Sequence, residues 1–261
     1  MPFSIIDNEV LPLLSQLIDL RLGRNAGHQF MIADMARRIS ISLDHEAALT
    51  REIYLSALLC HIGFMSLPDI LIKTPYNALS EENRQLVDRS AVEGAAILAS
   101  ISFLNNGAPY VKHQYEYFSG KGYPDGLIGA EIPIGSRIIA IAVDFNDLQN
   151  GHYFGKRLTP QQAKSVIIEN AGKKFDPEIV PIFVEIVNSN LALTQAESEL
   201  VLPVDKLKPG MILTQDIMLN NGLILLRKGK TLSIADIAAL LRVNKLYPSS
   251  LTLYIKEQKK M

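Results

Sequence analysis

Apolar residues recur at helical spacing through the first two-thirds of the chain, and that rhythm predicts a mainly helical fold. Val10 to Leu22 places Leu11, Leu14, Leu17 and Ile18 on one face, and His28 to Ile39 does the same with Met31, Ile32, Met35 and Ala36. A third helix is expected to open at Leu43-Asp44-His45-Glu46, with Asp44 as its N-cap, and to run to about His61. Pro68 and Pro75 bracket a loop. Ser80-Glu81-Glu82 opens a helix with acids in its first turn, and a separate helix is expected from about Ala91 to Ser102.

Gly120-Lys121-Gly122-Tyr123-Pro124-Asp125-Gly126 is too rich in turn residues for regular structure. Ile138 to Phe145 reads as a buried helix. Thr159-Pro160-Gln161-Gln162 is a helix start with Thr as cap, Pro at the first position and Gln at the third; Asp176-Pro177-Glu178 is another. Near residue 190 the pattern changes. Short β-like runs follow at 201–204, 211–218, 223–227 and 251–255, with Asn221-Gly222 as a hairpin signal and one helix from Ser233 to Leu241. The expected organisation is an all-helical domain over 1–189, a linker over 190–199 and a small β-rich α+β module over 200–261.

Composition narrows the function classes. Hydrophobic residues make up 48% and charged residues 20%, so a packed core is expected rather than disorder. A formal net charge of -1 gives no reason to expect a nucleic-acid binder, and Lys256, Lys259 and Lys260 read as a solvated tail. Cys60 is the lone cysteine, so no internal disulfide can form and a reducing compartment is the expectation. The N-terminus lacks the pattern of a secretory signal, and no apolar run reaches the roughly 20 residues that span a bilayer. A cytoplasmic protein without membrane insertion is expected.

An ordered set of motifs over residues 26 to 188 resembles the HD-GYP family. The set comprises Ala57-Leu58-Leu59, Ile62-Gly63, Leu67-Pro68-Asp69-Ile70-Leu71, Leu79-Ser80-Glu81-Glu82 and Gly94 with Ile97-Leu98. It continues with Gly120 to Leu127, Ile132-Pro133, Ser136-Arg137-Ile138, Gly172 and Phe175-Asp176-Pro177. The resemblance implies an HD-type helical bundle, and active members of that family hydrolyse cyclic di-GMP with iron or manganese held by histidines and aspartates. The C-terminal segment resembles a small module found beside HD-type signalling domains, with no catalytic set of its own.

Carried over residue by residue, the resemblance places His28 on a ligand histidine. Arg24 falls on an acidic ligand, and Cys60 and His61 fall on the His-Asp pair that names the family. Phe64 falls on a lysine that would meet phosphate, Ser90 on a histidine, and Gln114 and Tyr115 on two adjacent histidines. Val143 falls on an aspartate, with Asp144 next to it, while Glu116 is kept. A divalent ion needs several anionic or imidazole donors at about 2.0–2.2 Å, and without one no water is activated near neutral pH. The expectation is therefore a signalling protein that lacks hydrolysis and acts through a partner such as a diguanylate cyclase domain, or by sensing cyclic di-GMP.

Two other readings stay open. His28, Cys60, His61, His113, Asp144 and Asp147 are candidates for a smaller iron or manganese site, in a divergent phosphodiesterase built on His28, His61, Asp144 or Asp147. Alternatively the chain is a structural subunit, dimeric through its helices. His45 and His152 are expected at the surface. In the signature loop, Gly120, Gly122, Tyr123, Pro124 and Gly126 are candidates for a partner surface, with Tyr115, Tyr117 and Phe118 as nearby aromatics.

Overall fold

The computed structural model describes residues 10–24, 27–196, 199–218, 224–246 and 253–256. The protein is mainly helical, and the chain divides into two compact units, Met1–Val187 and Asn188–Met261. The first unit holds α1 (Leu11–Arg21), α2 (His28–Ser42), α3 (Ala47–Leu58), α4 (Asp69–Lys73), α5 (Glu81–Ala99), α6 (Ala108–Lys112), α7 (Ile134–Asn150) and α8 (Pro160–Glu169). It also holds the start of α9 (Ile179–Ala196). Helix α7 lies at the centre, with α2, α3, α6 and α8 packed against it. Its Ile138, Ile139 and Ile141 are fully buried, as are Ile32 and Ile39 of α2 and Ile53 of α3.

Several boundaries depart from the sequence reading. Asp44 does not cap α3. It sits at φ +54, just past the end of α2, where its N–H donates to Ile41 O and the next N–H, of His45, donates to Ser40 O. This paired closure is a Schellman motif, so a residue type shared by N-caps and left-handed turns serves here as the stop signal of α2. Helix α3 ends at Leu58, and Cys60 and His61 lie in a turn before the 3₁₀ segment Ile62–Ser66. The two helices expected from Ser80 to Ser102 are one, α5, because nothing between them breaks the ladder; Ser80 caps it by accepting from Asn83 N. The faces also turn slightly: Leu17 and Met31 are exposed, whereas Ile18 and Ile32 are buried.

Other starts follow the sequence. Thr159 and Gln162 exchange side-chain and backbone hydrogen bonds in a capping box at the head of α8. Asp176 accepts from Glu178 N at 2.8 Å and pairs with Arg137 at 2.6 Å, tying α9 to α7.

The second unit has its own core of Val204, Leu207, Leu213, Ile217, Leu232, Leu240, Leu253 and Ile255. Strands β1 (Glu199–Leu202) and β4 (Leu253–Lys256) pair antiparallel, as do β2 (Ile217–Met218) and β3 (Ile224–Leu226); α10 spans Ile234–Leu246. The linker expected over 190–199 is instead helical as far as Ala196, consistent with the high helix propensity of the Leu191-Ala192-Leu193 stretch. The Asn221-Gly222 hairpin signal, the N-terminal segment and the lysines at 259 and 260 lie outside the described residues. Among the described residues no helix is long and apolar enough to cross a membrane.

Candidate functional site

Arg24 lies in the turn after α1, and His28 is the first residue of α2. Asp19, a buried acid on α1, accepts from Gly27 N at 2.8 Å and Gln29 N at 3.2 Å. An acid from a neighbouring helix thus satisfies the free N–H groups at the head of α2. Burial raises the Asp19 pKa to about 6, against the lowering effect of those N–H bonds. Sequence analysis missed this residue; its signal was an acid on the same face as Leu11 and Ile18.

The Arg24 guanidinium donates from Nη1 to His28 Nε2 and stands 3.2 Å from Asp147 Oδ1 of α7. His28 Nε2 is 3.4 Å from the same oxygen. That nitrogen accepts from Arg24, so it cannot also donate to Asp147, and we assign the pairing to Arg24. Oδ1 has a cation beside it but no donor aligned for a hydrogen bond. Burial alone would raise the Asp147 carboxyl; Arg24, with His28 and His61 adding to it, outweighs burial and holds the group well below the usual carboxylate range. Burial lowers the His28 pKa, so the imidazole is neutral at Arg24.

His61 points away from this pair. Its Nδ1 is 2.9 Å from Gln29 Nε2 and 3.5 Å from Cys60 Sγ, and its ring packs edge-on against Phe64. Burial pushes its pKa well down and that of the Cys60 thiol up, so both are neutral core groups. Gln114 donates to Cys60 O at 3.0 Å, and Ser90 donates to Val87 O within α5. His113 is 2.9 Å from Asp125, on the outer side of the signature loop. Asp144 pairs with Lys174 at 2.6 Å.

His152 corrects the sequence reading most clearly. It lies in a turn as expected but is half-buried rather than at the surface: its ring meets the His28 ring edge-on with centroids 5.5 Å apart, and burial lowers its pKa to about 4. Tyr76 N donates to His152 O and Asn77 N to Tyr153 O, so two distant segments hold each other in place. His28, Asp147 and His152 offer ligand atoms within 4.8 Å of one another. Of the sequence candidates, His28 and Asp147 are thus brought together, while Cys60, His61, His113 and Asp144 are committed elsewhere.

These three side chains do not fit a divalent ion as they stand. An ion bonded to His28 Nε2 at about 2.1 Å would use the lone pair that accepts from Arg24. It would also sit about 5 Å from a guanidinium, where repulsion amounts to about 7 kcal/mol at an effective dielectric constant near 20.

A cavity of about 790 Å³ opens beside the cluster. Arg24, Asp147 and His152 stand in its wall, as do Phe64, Tyr115 and Val143 from the expected ligand and phosphate positions. Tyr76 and Tyr153 stack in the wall with centroids 5.7 Å apart, and Lys174 lies over the rings of Tyr117 and Tyr153. The signature loop contributes Lys121, Gly122 and Tyr123 to it. Glu116 holds that loop by accepting from Asp125 N and Gly126 N at 2.7 and 3.1 Å. Gly122 packs so closely on Glu116 and Tyr117 that a Cβ would overlap their backbone, and Gly120 has φ +81. Packing therefore accounts for Gly122, and the left-handed backbone for Gly120.

The titrating groups give the fold a pH dependence. His28, His61 and His152 have folded pKa values below the ordinary 6.5, so their contribution is complete above that value and lost as pH falls. Asp19 and Asp88 are raised by burial from 3.8 to about 6, so theirs is complete below 3.8 and lost as pH rises through 6. Asp144 is likewise raised and His45 likewise lowered by burial, so four depressed histidines stand against three raised acids, and the contribution of Asp19 and Asp88 fades above about pH 6. The melting temperature of the helical unit should rise between pH 5.5 and 7, and a flat or falling profile would contradict this assignment.

A family model described as HD domain matches residues 12–179. The chain is 27% identical over 176 residues to the cyclic di-GMP phosphodiesterase response regulator RpfG of Xanthomonas campestris, covering 67% of this chain and 46% of that protein. It is 27% identical over 180 residues to a cyclic di-GMP phosphodiesterase of Thermotoga maritima, covering 68% of this chain and 49% of that one. The chain thus spans about half the length of these curated relatives. A solved cyclic GMP-AMP-specific phosphodiesterase of Vibrio cholerae shares the fold, with TM-score 0.60, 18% identity, 71% of this chain and 50% of that chain covered. So does an HD-GYP-type protein of Bdellovibrio bacteriovorus, with TM-score 0.53, 18% identity, and 62% and 51% covered.

Proposed function

The chain belongs to the HD domain family, and from that premise we propose that it is a cytoplasmic signalling member that keeps the cavity for a cyclic dinucleotide but does not hydrolyse it. The observation that carries this reading is the Arg24 guanidinium, engaged with His28 and Asp147 where an ion would need those same atoms. The relatives named as cyclic di-GMP phosphodiesterases support the ligand class. The aromatic wall, with Arg24, Lys121 and Lys174 among its charged residues, suits a phosphodiester bearing flat bases. The signature loop links ligand to partner: Lys121, Gly122 and Tyr123 line the cavity, while Lys121 and Asp125 are also exposed to an approaching domain such as a diguanylate cyclase.

A direct test incubates the purified protein with cyclic di-GMP and either Mn²⁺ or Fe²⁺, and follows the linear dinucleotide by chromatography. No turnover is expected. Sustained turnover that disappears on His152→Ala would replace this reading with that of a divergent hydrolase using His28, Asp147 and His152.

A further inference from the structure

The geometry points to a role for Arg24 beyond excluding a metal: we propose that its guanidinium takes over the cation's task and is the phosphate-binding group of the cavity. The inference rests on the non-hydrolytic reading above. Arg24 stands in the cavity wall with a side chain only 7% exposed. Only its Nη1 is engaged by described residues, through His28 and Asp147. A guanidinium has five N–H donors in a rigid fork, so Nη2 and Nε remain to meet two oxygens of one phosphate.

The anchoring matters as much as the charge. Neutral His28 accepts one N–H, ionised Asp147 flanks the same nitrogen, and the Arg24 backbone N–H donates to Asp19 O. The fork is therefore held before any ligand arrives, so binding loses little side-chain entropy. His28 and His61 are absent from the cavity wall, while Arg24 is in it, so an anion entering the cavity meets the guanidinium rather than those imidazoles. Tyr76 and Tyr153 stand in the same wall with Arg84 and Lys174 over their rings, so further cations lie beside the place where such a phosphate would sit.

The test is calorimetric binding of cyclic di-GMP to the whole chain in EDTA, with the hydrolysis assay run in parallel. The wild type should bind in EDTA, and added Mn²⁺ should not tighten it. Arg24→Gln should weaken binding about tenfold or more, as expected for loss of a charge-assisted bond. Arg24→Lys, which keeps the charge and loses the fork, should weaken it several-fold and decides the matter if Arg24→Gln does not fold. Binding that requires a divalent ion, no binding by the wild type, or an unchanged dissociation constant in a folded Arg24 variant would each overturn the proposal. An unchanged constant without turnover sinks only the role of Arg24, whereas turnover sinks the non-hydrolytic reading itself.

Discussion

Lys174→Met is expected to destabilise the helical unit by about 3 kcal/mol, because it strands a carboxylate that the fold has buried. Lys174 and Asp144 meet at 2.6 Å with side chains only 14% and 16% exposed. Burial opposes the charge on both. For Asp144 burial prevails and the pKa is raised; for Lys174 the attraction of Asp144, joined by Tyr117 and Tyr153, outweighs burial and the ammonium stays charged. The ammonium also lies over Tyr117, Tyr153 and Phe175 at 5.3 to 5.6 Å, so its loss removes cation–π contacts as well. Replacing both partners, as Lys174→Met with Asp144→Leu, should recover most of the stability, since no charge is then left alone. Chemical denaturation of the single and double variants checks this. A single variant as stable as the wild type would show that the pair is better hydrated than its burial implies.

Gly63→Ala should cost about 3 kcal/mol and lower the melting temperature of the helical unit by on the order of 10 °C. A Cβ on Gly63 would overlap the Ser90 carbonyl oxygen and press on Gly94 N of α5. These are backbone atoms of a helix, so neither can rotate aside as a side chain would. Gly94 faces Gly63 across the same contact, and a Cβ there would meet Gly63 N at 3.1 Å. Gly94→Ala should therefore be the milder of the two. Equal melting temperatures for Gly63→Ala and the wild type would mean that the 62–66 turn moves freely off α5. The contact also explains why Ile62-Gly63 and Gly94 appear together in the sequence pattern.

The helical architecture was legible because it rests on short-range signals. The Thr159 capping box and the Ser80 cap act within a few residues, and both are made as the local sequence suggests. Asp44 shows the limit of such signals: the same residue type suits an N-cap and a left-handed turn, and only the closure onto Ser40 and Ile41 decides. The candidate site was legible in part. Arg24, His28, Cys60 and His61 were singled out as positions, but their partners depend on contacts between distant segments. His61 turns to Gln29, an uncharged residue with no local mark, and His152 reaches His28 only because residues 152–153 bond to residues 76–77. Asp147 came into view only as a candidate ligand beside Asp144, and its pairing with Arg24 could not be read from spacing.

The central claim, that Arg24 stands against an ion at this site, is tested most directly by metal analysis of protein purified without chelator. Iron and manganese should remain far below one equivalent per chain, and should rise only when Arg24→Glu supplies a carboxylate in place of the guanidinium. Near-stoichiometric iron or manganese in the wild type would contradict the account.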